Sequence, residues 1–254
     1  METSYFKTHH PLVDQLAGLL LSTWDQYFDL EPYALPADLG FVEGHLEGER
    51  LVISNQCFQS TVFRKLHLEL ASLGNGLDIL HCVMFPHPNY DLPILGTDIV
   101  ANPQLVSAAI IDLSPVAGEP PALSQTYLQG LEEPYRQRLG FAQLRDLPTW
   151  GNIFSSRCVF TRITDQPEAE LFVGIVRAYL DFHCDQARTV AELPPQGRLN
   201  VLNGHRRYCE QQQQNDKTRR LLARAFGEEW ADRYMNTVLF DLPGADARLP
   251  DSSL

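Results

Sequence analysis

Phe63-Arg64-Lys65-Leu66-His67-Leu68-Glu69-Leu70 runs on through the turn Gly74-Asn75-Gly76 into Leu77-Asp78-Ile79-Leu80-His81-Cys82-Val83-Met84-Phe85. The first arm alternates strictly, so Leu66, Leu68 and Leu70 point to one side and His67 and Glu69 to the other, the signature of a strand. The second arm returns with Ile79, His81, Val83 and Phe85 on a common face. Two strands joined by a Gly-Asn-Gly turn read as a hairpin, and pairing them brings His81 near His67 and Glu69. Outward from this pair, Gly40 to Gln56 alternates around Glu47-Gly48-Glu49 and reads as another hairpin, with Leu51-Val52-Ile53 in its second arm. Beyond the proline-rich loop at Pro86, Pro88 and Pro93, Ile94 to Ala101 reads as a strand carrying Asp98, and Ser107 to Leu113 as the next. A meander of antiparallel strands is the simplest topology.

Helical spacing brackets this sheet. Leu12, Leu16, Leu19, Leu20 and Trp24 recur as an amphipathic helix between His10 and Phe28, with Pro32 and Pro36 marking its end. Residues 115–148 are rich in proline and read as loop with a helical turn or two, followed by a strand from Cys158 to Ile163. The last third repeats at helical spacing over Glu168 to Ala187, Arg198 to Phe226 and Glu228 to Phe240, with Gly227 between the last two. Strands followed by helices predict an α+β fold, a single-domain α/β/α sandwich over residues 1–242, and residues 243–254 read as a frayed tail.

Composition narrows the function. The 254 residues carry 32 acidic and 20 basic side chains, a formal charge of −12, which argues against bulk attraction to nucleic acid or an anionic membrane. The Leu19–Leu21 run inside the first helix is far below the ~20 apolar residues of a bilayer span, and no signal-peptide architecture precedes it, so a cytoplasmic protein is expected. The cysteines, Cys57, Cys82, Cys158, Cys184 and Cys209, are widely spaced with no Cys-x-x-Cys pair, and read as reduced, mostly buried thiols. No Gly-x-Ser-x-Gly, Gly-x-Gly-x-x-Gly or Walker string is present.

What remains is His67, Glu69, His81 and Asp98, on three successive strands at positions the pleat lets converge. Burying such groups costs several kcal/mol unless they are paired or change protonation, so a cluster of them points to proton chemistry or ligand binding. A lone strand histidine is more often a satisfied core or surface residue. Two imidazoles and a carboxylate also form a known zinc set, although no His-x-x-x-His spacing supports one here. Asn215, Lys217 and the pair Arg219 and Arg220 fall on or beside a helix, where a solvated face is the plain reading.

The strings Asp38-Leu-Gly-Phe-Val-Glu-Gly, His67-Leu-Glu-Leu, Gly76-Leu-Asp-Ile-Leu-His-Cys-Val-Met-Phe-Pro, Asp98-Ile-Val-Ala, Ser107-Ala-Ala-Ile, Asn215-Asp-Lys-Thr-Arg-Arg, Trp230-Ala-Asp-Arg-Tyr-Met and Val238-Leu-Phe-Asp resemble the ferredoxin-dependent bilin reductases. The similarity runs from about Leu30 to Asp241 and is strongest to the branch that makes phycocyanobilin. The resemblance implies biliverdin IXα bound between the sheet and the C-terminal helices, with no metal and no permanently bound cofactor. It implies a four-electron reduction at the D-ring exo-vinyl group and the A-ring, in proton-coupled single-electron steps through bilin radicals. Reduced [2Fe-2S] ferredoxin supplies the electrons. Carried over by position, Asp98 is the central proton donor, His81 shares a proton with it, Glu69 serves the vinyl step and His67 is its hydrogen-bonding neighbour. Arg145, Ser107 and Lys217 match propionate and pocket positions, with Asn215 beside the lactam end. Lys217 is equally suited to the proton network or to the ferredoxin side. A local basic patch with Arg219 and Arg220 would meet acidic ferredoxin, and a monomer is expected. A two-electron or phycoerythrobilin-forming reductase and a bilin carrier of the same fold are the alternatives.

Overall fold

The structure, a computed structural model, describes residue 8 and residues 10–147, 152–214 and 216–242. The expected C-terminal tail lies outside the described residues. In chain order the elements are α1 (Pro11–Tyr27), β1 (Glu31–Pro32), β2 (Phe41–Leu46), β3 (Glu49–Gln59), β4 (Phe63–Leu73), β5 (Leu77–Pro86), β6 (Ile94–Asn102), β7 (Leu105–Ser114), α2 (Gln125–Gly130), α3 (Glu132–Arg136), β8 (Gln143–Leu144), β9 (Val159–Ile163), α4 (Gln166–Thr189), α5 (Pro195–Gln213), α6 (Asp216–Phe226) and α7 (Glu228–Tyr234). The strands form one antiparallel sheet in the order β1-β3-β4-β5-β6-β7-β9-β8, with β2 paired to β3. The expected meander is therefore present from β3 to β7. Between β2 and β3, Glu47 (φ 54°) and Gly48 (φ 89°) both take left-handed backbone, as a two-residue hairpin loop requires. The next hairpin closes at Leu73 opposite Leu77, with Gly76 at φ 88° in the turn.

Alternation divides the core in two. Leu66, Leu68, Leu70, Leu80, Cys82 and Met84 pack against α1 and α4, where Trp24, Phe172, Tyr179 and Leu180 are fully buried. Each such aliphatic side chain contributes about 1.5–3 kcal/mol by leaving water. α1 is capped by His10, whose ring accepts from the Leu12 N–H, and α4 by Asp165, which accepts from Glu168 N. The opposite face carries Ile53, Ala71, Val83 and Phe85 under Tyr208, Leu222, Tyr234 and Phe240 from α5, α6, α7 and the following turn. Helices on both faces make the α/β/α sandwich.

α1 ends where its spacing predicts, with Phe28 as the C-cap and its N–H bonded to the Trp24 carbonyl. One detail departs from the sequence expectation. The Arg198–Phe226 stretch is two helices, because α5 ends with Gln214 as its C-cap. The five cysteines are free, four of them buried and Cys158 half-buried. Among the described residues no helix is long and apolar enough to cross a membrane.

Candidate active site

Register places the candidate residues side by side. Asn55 pairs with Glu69, Glu69 with His81, His81 with Asp98, Asp98 with Ile110, and Ile110 with Phe160. Because directly opposed residues in an antiparallel sheet share a face, this is one row across six strands. His67 lies one pleat along β4 from Glu69, in the neighbouring row of Cys57, His67, Val83, Gly96 and Asp112. All four sequence candidates thus meet on one face, under the C-terminal helices.

Their partners are specific. His81 Nδ1 and Asp98 Oδ1 are 2.5 Å apart, with the Asp98 side chain 45% exposed and that of His81 13%. The His81 ring edges toward His67 at 5.8 Å and Phe240 at 5.6 Å between centroids. Burial pushes His81 toward the neutral form, but the Asp98 charge and hydrogen bond, with Glu69, outweigh it and raise its pKa. His67 is fully buried, and burial, Lys65 and His81 all hold its pKa well below the usual value, so it is neutral. Glu69 is buried beside them, and its pKa is raised by that burial despite His81 and Tyr234. Tyr234 Oη lies 2.5 Å from Glu69 Oε2 and 2.9 Å from the Asn55 carbonyl oxygen, which is also 2.8 Å from His67 Nε2. The His81 Nε2 and His67 Nδ1 atoms are buried with no hydrogen-bond partner. Such nitrogens are available to a ligand or a proton, which the reading as satisfied structural histidines does not supply.

The ionisable row opens onto an apolar floor. Ile79, Val100, Ala108, Ile110 and Phe160 share the face of Asp98 and are only half-buried. Arg145 lies at the edge of this floor, its guanidinium stacked 4.6 Å from the Phe160 ring centre and donating to the Ser107 carbonyl at 2.8 Å. Ser107 Oγ in turn donates to the Val100 carbonyl at 3.1 Å. On the other side α5 crosses the sheet at Gly96, where an added Cβ would lie 3.4 Å from Tyr208 Oη. A flat apolar molecule with acidic substituents fits this layout: floor beneath, Asp98 and His81 at its centre, and a cation at the rim. An opening of about 460 Å³ lined by Tyr33, Gln213, Asn236, Thr237 and Asp241 holds none of the four cluster residues. We place the site at Asp98, where paired acids meet apolar surface.

The other candidates are spread more widely. Lys217 is exposed in the first turn of α6, Arg220 is exposed on the same helix, and Arg219 is engaged by Asp232 at 2.6 and 3.0 Å. Asn215 lies outside the described residues. No group of three or more His, Cys, Asp or Glu side chains among the described residues is arranged to hold a metal ion.

Sequence reasoning missed Asn55, Tyr234 and the buried ion cluster below them. Tyr234 sits within the Trp230–Met235 string that carried the resemblance, so a signal for it existed; Asn55 needed the β3–β4 register. Lys65 is fully buried, with Nζ bonded to the Val238 carbonyl and 2.6 Å from Asp241 Oδ1, while Arg64 donates to Asp241 Oδ2 at 2.6 Å and to its carbonyl at 3.0 Å. Neighbours on a strand normally face opposite ways, but a register shift between Phe63 and Lys65 lets both cations reach Asp241. Burial would raise the Asp241 pKa, yet Arg64 and Lys65 hold it below its ordinary value.

A sequence model described as ferredoxin-dependent bilin reductase matches residues 18–241. This chain belongs to the ferredoxin-dependent bilin reductases. The bilin reductase is 63% identical over 244 residues to phycocyanobilin:ferredoxin oxidoreductase of Gloeobacter violaceus, covering 96% of this chain and 95% of the relative. Identity to the protein of the same name from Trichodesmium erythraeum is 51% over 236 residues, covering 92% and 94%. Tomato phytochromobilin synthase, solved in complex with biliverdin, shares the fold with a TM-score of 0.79 at 16% identity, covering 91% of this chain and 85% of that one. The protein is an oxidoreductase, and its family implies ferredoxin as electron donor and a bilin as substrate.

Proposed function

We propose that this bilin reductase converts biliverdin IXα to phycocyanobilin, taking four electrons from four reduced ferredoxins and four protons through its own side chains. The observation that carries the reading is the row Glu69, His81 and Asp98 on adjacent strands, open to an apolar floor at Asp98. The names of relatives at 51% and 63% identity support the product, and biliverdin bound to a protein of the same fold supports the substrate.

Each single-electron step adds negative charge to the pigment, and a proton from Asp98 and His81 neutralises it, leaving a neutral bilin radical after an odd number of steps. Two electrons and two protons saturate the D-ring vinyl C=C bond, and two more of each reduce the A-ring side. The 2.5 Å contact lets a proton pass between Asp98 and His81. Glu69 donates at the vinyl group: a carboxyl whose pKa is raised by burial is better matched to general-acid work than an exposed one. His67, held neutral, orients this end of the network. Arg145, with Ser107 beside it, neutralises a propionate as the pigment leaves water. Lys217 serves the propionate side of the pocket, and Arg220 the surface that meets acidic ferredoxin.

The test is Glu69→Gln under anaerobic turnover with reduced ferredoxin. The expected pigment extract retains the D-ring vinyl group while biliverdin binding persists. Wild-type phycocyanobilin from that variant would reassign the vinyl step to another acid.

A further inference from the structure

With Glu69 ionised, the three hydrogen bonds that link Glu69, Tyr234, Asn55 and His67 have only two hydrogens between them. Asn55 Nδ2 donates to the Leu39 carbonyl at 2.8 Å, which fixes the amide so that its oxygen faces inward. That oxygen only accepts, so His67 donates to it from Nε2, leaving Nδ1 bare. Tyr234 Oη lies 2.9 Å from the same amide oxygen and 2.5 Å from Glu69 Oε2, yet carries a single hydrogen. With Glu69 protonated every contact is satisfied: the carboxyl donates to Tyr234, Tyr234 to Asn55, and His67 to the second lone pair of Asn55. With Glu69 ionised the hydroxyl must turn to the carboxylate, and the Tyr234–Asn55 contact is left without a hydrogen. Two arrangements of one rotor therefore correspond to two charge states of Glu69.

We propose that Tyr234 is a positioning residue whose hydroxyl alternates between Asn55 and Glu69, parking a proton on the Glu69 carboxyl at rest and turning to hold the carboxylate once that proton has gone to substrate. The inference rests on the reading of Glu69 as the vinyl-step acid. The surroundings suit a rotor: the Tyr234 ring is fully buried and stacked on Trp230 at 4.8 Å and 13°, so only the hydroxyl is free to reorient. Burial and Glu69 raise the Tyr234 pKa well above its usual value, which keeps its proton in place. The charged or titratable groups facing Glu69 are His81 from β5, Asp98 from β6, Cys57 from β3, Tyr234 from α7, and Lys65 and His67 on its own strand.

Infrared difference titration of the full-length protein tests this, with the Glu69 carboxyl band identified by its loss in Glu69→Gln. Tyr234→Phe keeps the ring and its stack but removes the donor to the carboxylate, so the Glu69 midpoint moves up by about one pKa unit and vinyl reduction slows about tenfold. Asn55→Ala removes the competing acceptor, so Tyr234 donates to Glu69 permanently and the midpoint moves down. Opposite shifts support the rotor. A midpoint that stays put or falls in Tyr234→Phe overturns it, and a lower melting temperature with an unmoved band assigns Tyr234 a structural role alone. If Tyr234→Phe does not fold, the Asn55→Ala shift decides, an unmoved or rising midpoint overturning the proposal. Full product from Glu69→Gln would instead overturn the role of Glu69, whatever the titrations show.

Discussion

Replacing Asp98 by asparagine keeps the shape of the site and removes the charge that His81 faces at 2.5 Å. Burial then dominates at His81, and its raised pKa should fall. A hydrogen bond to a charged partner is worth about 1.5–3 kcal/mol. The Asp98 side chain is 45% exposed, so solvent screening takes the pair to the lower end or below. At 1.36 kcal/mol per unit this is a drop of about one pKa unit. The sign for stability follows. His81 binds its proton more tightly folded than unfolded, so the pair stabilises the protein below about pH 6.5, and that contribution disappears as pH rises through the folded value. Asp98→Asn should therefore lower the melting temperature at pH 6 and leave it nearly unchanged at pH 9. For turnover, losing a general acid costs about 10²–10⁴-fold. Anaerobic absorbance with reduced ferredoxin should show bound biliverdin and stalled reduction, and the residual rate should decline at a lower pH than in the unaltered enzyme. Turnover within about tenfold of the parent, or an equal loss of melting temperature at both pH values, would refute the pairing.

Arg145→Ala removes the rim cation, and because Arg145 is exposed, biliverdin should bind about tenfold more weakly by absorbance titration, with the rate at saturating pigment preserved. Asp241→Ala strands Lys65 without its carboxylate in a fully buried position and should cost about 3–5 kcal/mol in denaturant unfolding; adding Lys65→Met should recover much of that loss. Gly204→Ala places a Cβ 1.9 Å from the Val116 carbonyl oxygen, which the backbone of that loop must vacate. The displaced α5 should cost about 1–3 kcal/mol, read as a lower melting temperature.

The sheet was legible because alternation and turn residues act locally. Once Gly76 closes the turn with Leu73 opposite Leu77, counting back along both arms places Glu69 opposite His81. The next pairing, His81 with Asp98, spans the proline-rich loop between Pro86 and Ile94, where alternation gave the shared face and packing set the register. Tyr234 and Asn55 were not legible as partners of Glu69, because 165 and 14 residues of chain separate them from it and only the packed α7 and the β3 register bring them in. The convergence of Arg64 and Lys65 on Asp241 depends on a bulge that adjacent positions in a strand do not announce. The break after α5 was invisible for a different reason: from His205 to Phe226 no glycine or proline interrupts the polar helical pattern. β8 has two residues, too few for a period.

The most direct test of the central claim is an anaerobic titration counting the reduced ferredoxin consumed per biliverdin, with the pigment extracted at the end point. Four equivalents are expected, with phycocyanobilin as the product and no change without ferredoxin. Two equivalents with a partly reduced bilin, or a stable biliverdin complex that consumes none, would contradict it.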